Sequence, residues 1–157
     1  MRLAVVLLAV CLLPVASCLA PPPASQRATD AARELNLAAR FGRMDLAVGR
    51  TAPGAREQFI ERRAHWGQSV RILDVELAGL SMNESTRAVV LVDVAWVRMN
   101  EDELRSTRLA QTWHEQDNGW LLVREQRVSG DLGLFGERVA VVQRPMVDVH
   151  FPSKTIR

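Results

Sequence analysis

The sequence predicts an α+β fold in which amino-terminal helices pack on an antiparallel sheet, and three observations carry that prediction. From Ser25 to Val48 the chain is rich in Ala, Leu, Arg and Glu, with apolar residues recurring at three- and four-residue spacing. From Thr86 to Val128 it reads as three strands joined by two short polar turns. The first of those strands, Arg87 to Met99, is apolar on both faces, as expected of a strand covered on two sides or set deep in a curved sheet.

Taken in order, the first helix runs from Ser25, with Ala31, Ala32, Leu35, Ala38 and Ala39 forming one apolar stripe. Gly42, beside Phe41, breaks it and leaves Met44 to Val48 as a second short turn of helix. Thr51-Ala52-Pro53-Gly54 is a restart signal, a hydroxyl for capping and a proline suited to a first turn. The next helix, Ala55 to Trp66, is expected to turn Phe59, Ile60 and Ala64 inward. Arg56, Arg62 and Arg63 read as its solvated face, and Gly67 ends it. Ser69 to Met82 is the first strand, with Val70, Ile72, Asp74 and Glu76 opposing Arg71, Leu73, Val75 and Leu77. Asn83-Glu84-Ser85 reads as a turn.

The strand from Arg87 to Met99 carries one polar intrusion, Asp93, centred between Leu91 and Ala95. Asn100 to Glu103 turns the chain. Leu104 to Gln116 then alternates openly, with Thr107, Leu109, Gln111 and Trp113 opposite Arg108, Ala110, Thr112 and His114. Asp117-Asn118-Gly119 tolerates positive φ, as a tight hairpin requires. Trp120 to Val128 is the last strand of the meander. Trp113 and Trp120 flank the turn and could pair across it, a contact of about 0.2–1 kcal/mol. Beyond it, residues 129–157 form an extension. Gly130, Gly133 and Gly136 suggest a flexible loop, and Glu137 to Gln143 and Met146 to Phe151 are short apolar stretches broken by Pro145.

A chain of 157 residues allows one ordinary domain, and a net charge of +2 gives no electrostatic case for nucleic acid. The amino terminus is an export signal: Arg2, then an apolar core from Leu3 to Val15, shorter than the ~20 residues a spanning helix needs. Val15-Ala16-Ser17-Cys18 resembles the lipobox of bacterial lipoproteins. The resemblance implies cleavage before Cys18, acylation of its sulfur, and membrane attachment through the fatty chains, each buried CH₂ contributing about 0.8 kcal/mol. The division expected is then a signal over residues 1–17, a lipidated tether over 18–25 with Pro21, Pro22 and Pro23 as a stiff spacer, and one domain over 26–157. Cys11 lies in the discarded core, so the mature domain holds no free thiol, which excludes cysteine catalysis, cysteine metal sites and disulfides. Leu19 is not aspartate, which under the sorting pattern of such lipoproteins places the anchor in the outer membrane, facing the periplasm.

Three features together are similar to another family: Phe41-Gly42-Arg43-Met44-Asp45-Leu46-Ala47, the helix before Gly67, and the segment from Gln111-Thr112-Trp113 to Asp117-Asn118-Gly119-Trp120. Over roughly Ala31 to Val128 the chain resembles the nuclear transport factor two-like, or cystatin-like, α+β cone. That resemblance implies helices packed on the concave face of a strongly curved antiparallel sheet. It implies little about chemistry, because the fold hosts many activities.

The histidines are His65, His114 and His150, with no paired metal-ligand spacing, so neither a metal nor a cofactor is expected. No nucleophile elbow or triad pattern is present. The candidate catalytic group is Asp93: in cone-fold enzymes a strand carboxylate lining a dry cavity acts as a base beside a histidine, here His114 or His65. Gln111 and Trp113 on the neighbouring strand are candidates to complete a ligand pocket. Against this stands the ordinary behaviour of carboxylates, under which Asp93 faces solvent or pairs with an arginine such as Arg108. The four tryptophans, Trp66, Trp96, Trp113 and Trp120, read first as packing groups and second as a stacking site. The expectation is therefore an envelope lipoprotein whose domain binds a small ligand or an envelope protein without catalysis. The alternative is a small isomerase- or cyclase-like enzyme using Asp93.

Overall fold

The structure is a computed structural model that describes residues 21–117 and 119–138. Residues 1–20, with the expected export signal and Cys18, Asn118, and residues 139–157, with His150 and most of the two expected apolar stretches, lie outside the described residues. Helix α1 spans Ala24–Arg40, α2 Met44–Gly49 and α3 Arg56–Arg63, with a 3-10 turn over Pro53–Ala55. Strands β1 (Val70–Glu84), β2 (Arg87–Arg98), β3 (Arg105–Gln116) and β4 (Gly119–Gly130) follow.

The cone expected from the resemblance is not what these residues build. The four strands lie side by side in the order β1-β2-β3-β4, every pair antiparallel, in a sheet that does not close. Strand residues outnumber helical ones. The physical reason is the connections: short links hold each strand beside its predecessor, and no described strand returns to join β4 to β1.

The core forms where α1 crosses the sheet. Ala28, Ala31, Ala32, Leu35 and Ala39 meet Val90, Val92, Val94 and Trp96 of β2 and Leu109 and Trp113 of β3. Alanines on the helix let its axis approach closely, so the large residues come from the sheet. Each fully buried Val or Leu contributes about 1.5–3 kcal/mol. Only one face of β2 is sealed: Val89, Leu91, Asp93, Ala95 and Val97 on the other face are half-exposed. The apolar two-faced pattern of β2 therefore marks a central strand with one sealed side.

Strand β1 departs from the alternation expected of it. Register shifts fall between Ile72 and Asp74 and between Leu77 and Gly79. Each extra residue flips the faces, so Val70 and Ile72, then Val75 and Leu77, then Leu80 and Met82 oppose the sealed side of β2, while Asp74 and Glu76 point outward. The strand runs on to Glu84, and the turn falls at Ser85-Thr86, later than the sequence suggested.

Two other segments are more firmly held than expected. Thr51 does not cap the next helix; its hydroxyl donates to the Ala47 carbonyl at 3.0 Å, while the Ala52 N–H donates to the Leu122 carbonyl at 2.8 Å and the Leu122 N–H to that of Arg50 at 2.9 Å. The link between α2 and α3 is thus laid along the edge of β4. After β4, Gly130 turns the chain at φ +88, and Asp131 exchanges hydrogen bonds with Ser106 at 2.8 Å in both directions. The Glu137 carboxylate accepts from the N–H groups of Gly133 and Phe135 at 2.9 and 3.0 Å, and Leu134 is fully buried. The glycine-spaced stretch is a pinned turn.

Candidate functional site

Helix α3 was expected to bury Phe59, Ile60 and Ala64 and to leave its arginines in water. Phe59 is buried, but Ile60 is 50% exposed and Ala64 is exposed, whereas Arg63 is 2% exposed. Residues four apart share a helix face, so Arg63 follows Phe59 inward. Its guanidinium lies 3.7 Å from the Phe59 ring centre and 4.8 Å from that of Trp66.

A buried polar chain explains how the charge is tolerated. Arg63 Nη2 donates to Glu125 Oε2 at 2.8 Å. Gln111 Nε2 donates to the same oxygen at 2.8 Å and to Asn36 Oδ1 at 2.9 Å, and Asn36 Nδ2 returns a bond to Gln111 Oε1 at 2.9 Å. Asn36 also donates to the Ala32 carbonyl at 2.8 Å. One line of side chains therefore joins α1, β3, β4 and α3 through the interior. Burial alone would push the Glu125 carboxyl up, but the Arg63 guanidinium and the Gln111 amide hold it below the ordinary glutamate value, ionised. Arg63 and Glu125 are the buried ionisable groups among the described residues, and each neutralises the other. A space of about 10 Å³ beside Phe59, Arg62 and Glu125 is the size of one water molecule.

Above Arg63, where α1 ends and β1 begins, lies a cavity of about 240 Å³ bounded by Arg40, Met44, Arg63, Trp66, Arg71 and Ile72. Trp66 is fixed there by its indole N–H, which donates to the Leu134 carbonyl at 3.0 Å. A shallower hollow of about 460 Å³ lies at the opposite end of α1, where Arg27 pairs with Glu115 and Arg50 with Glu34. A third, of about 300 Å³, is lined by His65, Glu101, Gly136 and Glu137.

The residues singled out in the sequence are not brought together as a catalytic set. Asp93 lies on the half-exposed face, gripped by Arg108 through two bonds of 2.6 Å, and that hydrogen-bonded guanidinium holds its carboxyl below the usual aspartate range. This is the pairing that the ordinary reading of a strand carboxylate allowed for. His114 shares that face but sits six residues along β3 from Arg108, about 20 Å away. His65 follows α3, its ring packed against Gly136. Gln111 and Trp113 are fully buried on the opposite face from Asp93; Gln111 belongs to the polar chain and Trp113 to the core. Trp113 stands across from Leu122 and diagonal to Trp120, not opposite it, so the expected direct pairing is replaced by a diagonal one. No group of three or more His, Cys, Asp or Glu residues is placed to hold a metal among the described residues.

Asn36, Arg63 and Glu125 were missed. The available signals were a polar residue on the alanine stripe of α1, and an arginine four residues after the one phenylalanine of its helix.

No family model and no curated protein matches the sequence. Among solved structures, the solution structure of a SEC-C motif containing protein from Rhodopseudomonas palustris superposes with a TM-score of 0.51 at 18% identity, over 60% of this chain and 73% of that one. The crystal structure of the intermembrane space region of the chloroplast protein ARC6 gives a TM-score of 0.49 at 11% identity, over 69% of this chain and 99% of that one. At such identity the first likeness concerns fold alone, and the second adds nothing to it.

Proposed function

We propose that this chain is a lipid-anchored envelope protein whose domain is a non-catalytic binding or assembly module on the periplasmic face. The observation that carries the binding reading is the buried Arg63–Glu125 ion pair. An interior charge already matched by its partner holds a shape, whereas a general base needs a carboxyl free to take a proton near neutral pH. Asp93, held low by Arg108, is no better suited to that work. The anchor reading rests on Val15-Ala16-Ser17-Cys18, followed within a few residues by three prolines that lead into α1 at Ala24. Leu19 after the cysteine favours the outer membrane. No described helix is long and apolar enough to cross a membrane, which agrees equally with attachment by lipid and with none.

Mass spectrometry of the membrane fraction tests the anchor: the expected product begins at an acylated Cys18, and Cys18→Ser releases or stalls the protein. An unmodified Cys18 overturns it. Crosslinking in intact cells tests the binding role, with a reproducible envelope neighbour as the expected result.

A further inference from the structure

Strand β1 ends the sheet on one side, and β2 is its one described neighbour in the sheet. The first residues of its outer edge are covered: the Val70 N–H donates to the His65 carbonyl, the Val70 carbonyl accepts from Gly67, and the Leu73 carbonyl accepts from Arg40 Nη2. From Asp74 to Glu84 the outward N–H and C=O groups meet no backbone partner among the described residues. The apolar side of the same stretch is short of cover. Val90, Val92 and Val94 of β2 are sealed, whereas Val75, Leu77 and Met82 are only partly buried and Leu80 is 37% exposed. A bare strand edge beside half-covered apolar side chains is a template for another strand, and folded proteins commonly cover such edges.

The chain itself supplies an occupant. Its described part stops at Arg138, and Gly136 and Glu137 line the same hollow as Ser69 and Val70, which places the exit at the start of β1. Residues 139–157 follow. Within them Val147, Val149 and Phe151 alternate with Met146, Asp148 and His150, the period of a strand with one apolar side. Residues 139–145 span at most about 23–25 Å when extended, and Val75 lies about 17 Å along β1 from Val70, so the later segment can reach it. We propose that Met146–Phe151 pairs with the outer edge of β1 as a fifth strand, running in the direction of β1 beside Asp74–Leu77. That run is unbroken between two register shifts. Val147, Val149 and Phe151 then extend the apolar side of Val75 and Leu77, while Asp148 and His150 turn to the side of Glu76. Pro145, which has no N–H to donate, falls just before the ladder begins.

Residue-resolved amide exchange on the full-length protein in non-ionic detergent tests the pairing. The amides of Asp74–Leu77 that point away from β2 should be protected. Val149→Asp should speed their exchange about tenfold while the amides of Leu109–Trp113 in β3 keep their rates. Asp148→Asn, on the opposite side of the same segment, should change neither stretch. Free exchange of the outward amides in the unaltered protein, equal behaviour of the two variants, or an acceleration that β3 shares overturns the proposal. Protection that Val149→Asp leaves intact but dilution removes assigns the edge to a second copy of the chain, and overturns it too. None of these outcomes bears on the acylation of Cys18.

Discussion

Arg63 and Glu125 show how far one residue can depart from its usual place when its partners are supplied. An unpaired guanidinium in that position would cost several kcal/mol in desolvation, and the carboxylate and two aromatic faces offset it, while the Gln111 amide donates to the carboxylate. Arg63→Met should therefore destabilise the fold by about 3–5 kcal/mol in urea denaturation, because it strands the Glu125 charge. Asp93→Asn should cost no more than about 1 kcal/mol in the same measurement, since that pair is largely open to water. The two results separate an interior ion pair from a surface one. Acid gives a third reading. The folded Glu125 titrates below its unfolded value of about 4.3, so its contribution is complete above that pH and is lost as pH falls through the folded value. Stability should hold from neutrality down to about pH 5 and then decline. Glu125→Gln should be less stable at neutral pH and show a shallower decline as the solution is acidified, the gap between the two proteins narrowing.

At the scale of the elements, the sequence was legible where one period ran unbroken. The faces of β3 were readable because Thr107, Leu109, Gln111 and Trp113 alternate without interruption, and all four are fully buried. The alanine stripe of α1 was readable for the same reason. Strand β1 was not, because its extra residues reset the parity, and a fixed period of two assigns Asp74 and Glu76 to the face of Val70. Its apolar residues at 70, 72, 75, 77, 80 and 82 carry the bulges in their spacing. The stretch after β4 was misread as loose because glycine marks a special backbone angle as often as freedom. Gly130 is the sharpest case: a Cβ there would stand 2.3 Å from the Ser106 carbonyl oxygen and 2.9 Å from Thr107 Cα. Gly130→Ala should cost well over 1 kcal/mol, through both that clash and φ +88. Gly42→Ala, with φ +72 but open space around it, should cost only the backbone strain of about 1–2 kcal/mol. Paired melting curves should rank Gly130→Ala as the more damaging.

For the molecule as a whole, the expected strongly curved, cone-like α+β layering does not hold: the structure is an open four-stranded antiparallel sheet with three short helices, strands dominating. Closure depends on whether a distant strand returns to an edge, and no local pattern in residues 70–130 encodes it. The candidate site was legible only in part. Gln111 was singled out as a pocket residue and is instead the centre of the buried polar chain, whose other members required long-range register to find. The proposed anchor carries a prediction at this scale too. Attachment through fatty chains is not screened by salt, so the protein should stay with membranes in about 1 M NaCl, where the Debye length is only ~3 Å, and should leave in detergent. Release by salt alone would point to charge, which the near-balanced sequence is poorly equipped to supply.

The strand order β1-β2-β3-β4 also governs how the chain can assemble. A polypeptide emerging amino terminus first presents each strand beside one that is already available, so every ladder closes a loop of only a few residues, the fastest kind to form. Helix α1 is the exception. It precedes the sheet in the chain, yet its bonds to Gln111 and Glu115 bridge 75 and 88 positions, so it cannot take its seat until β3 has been made.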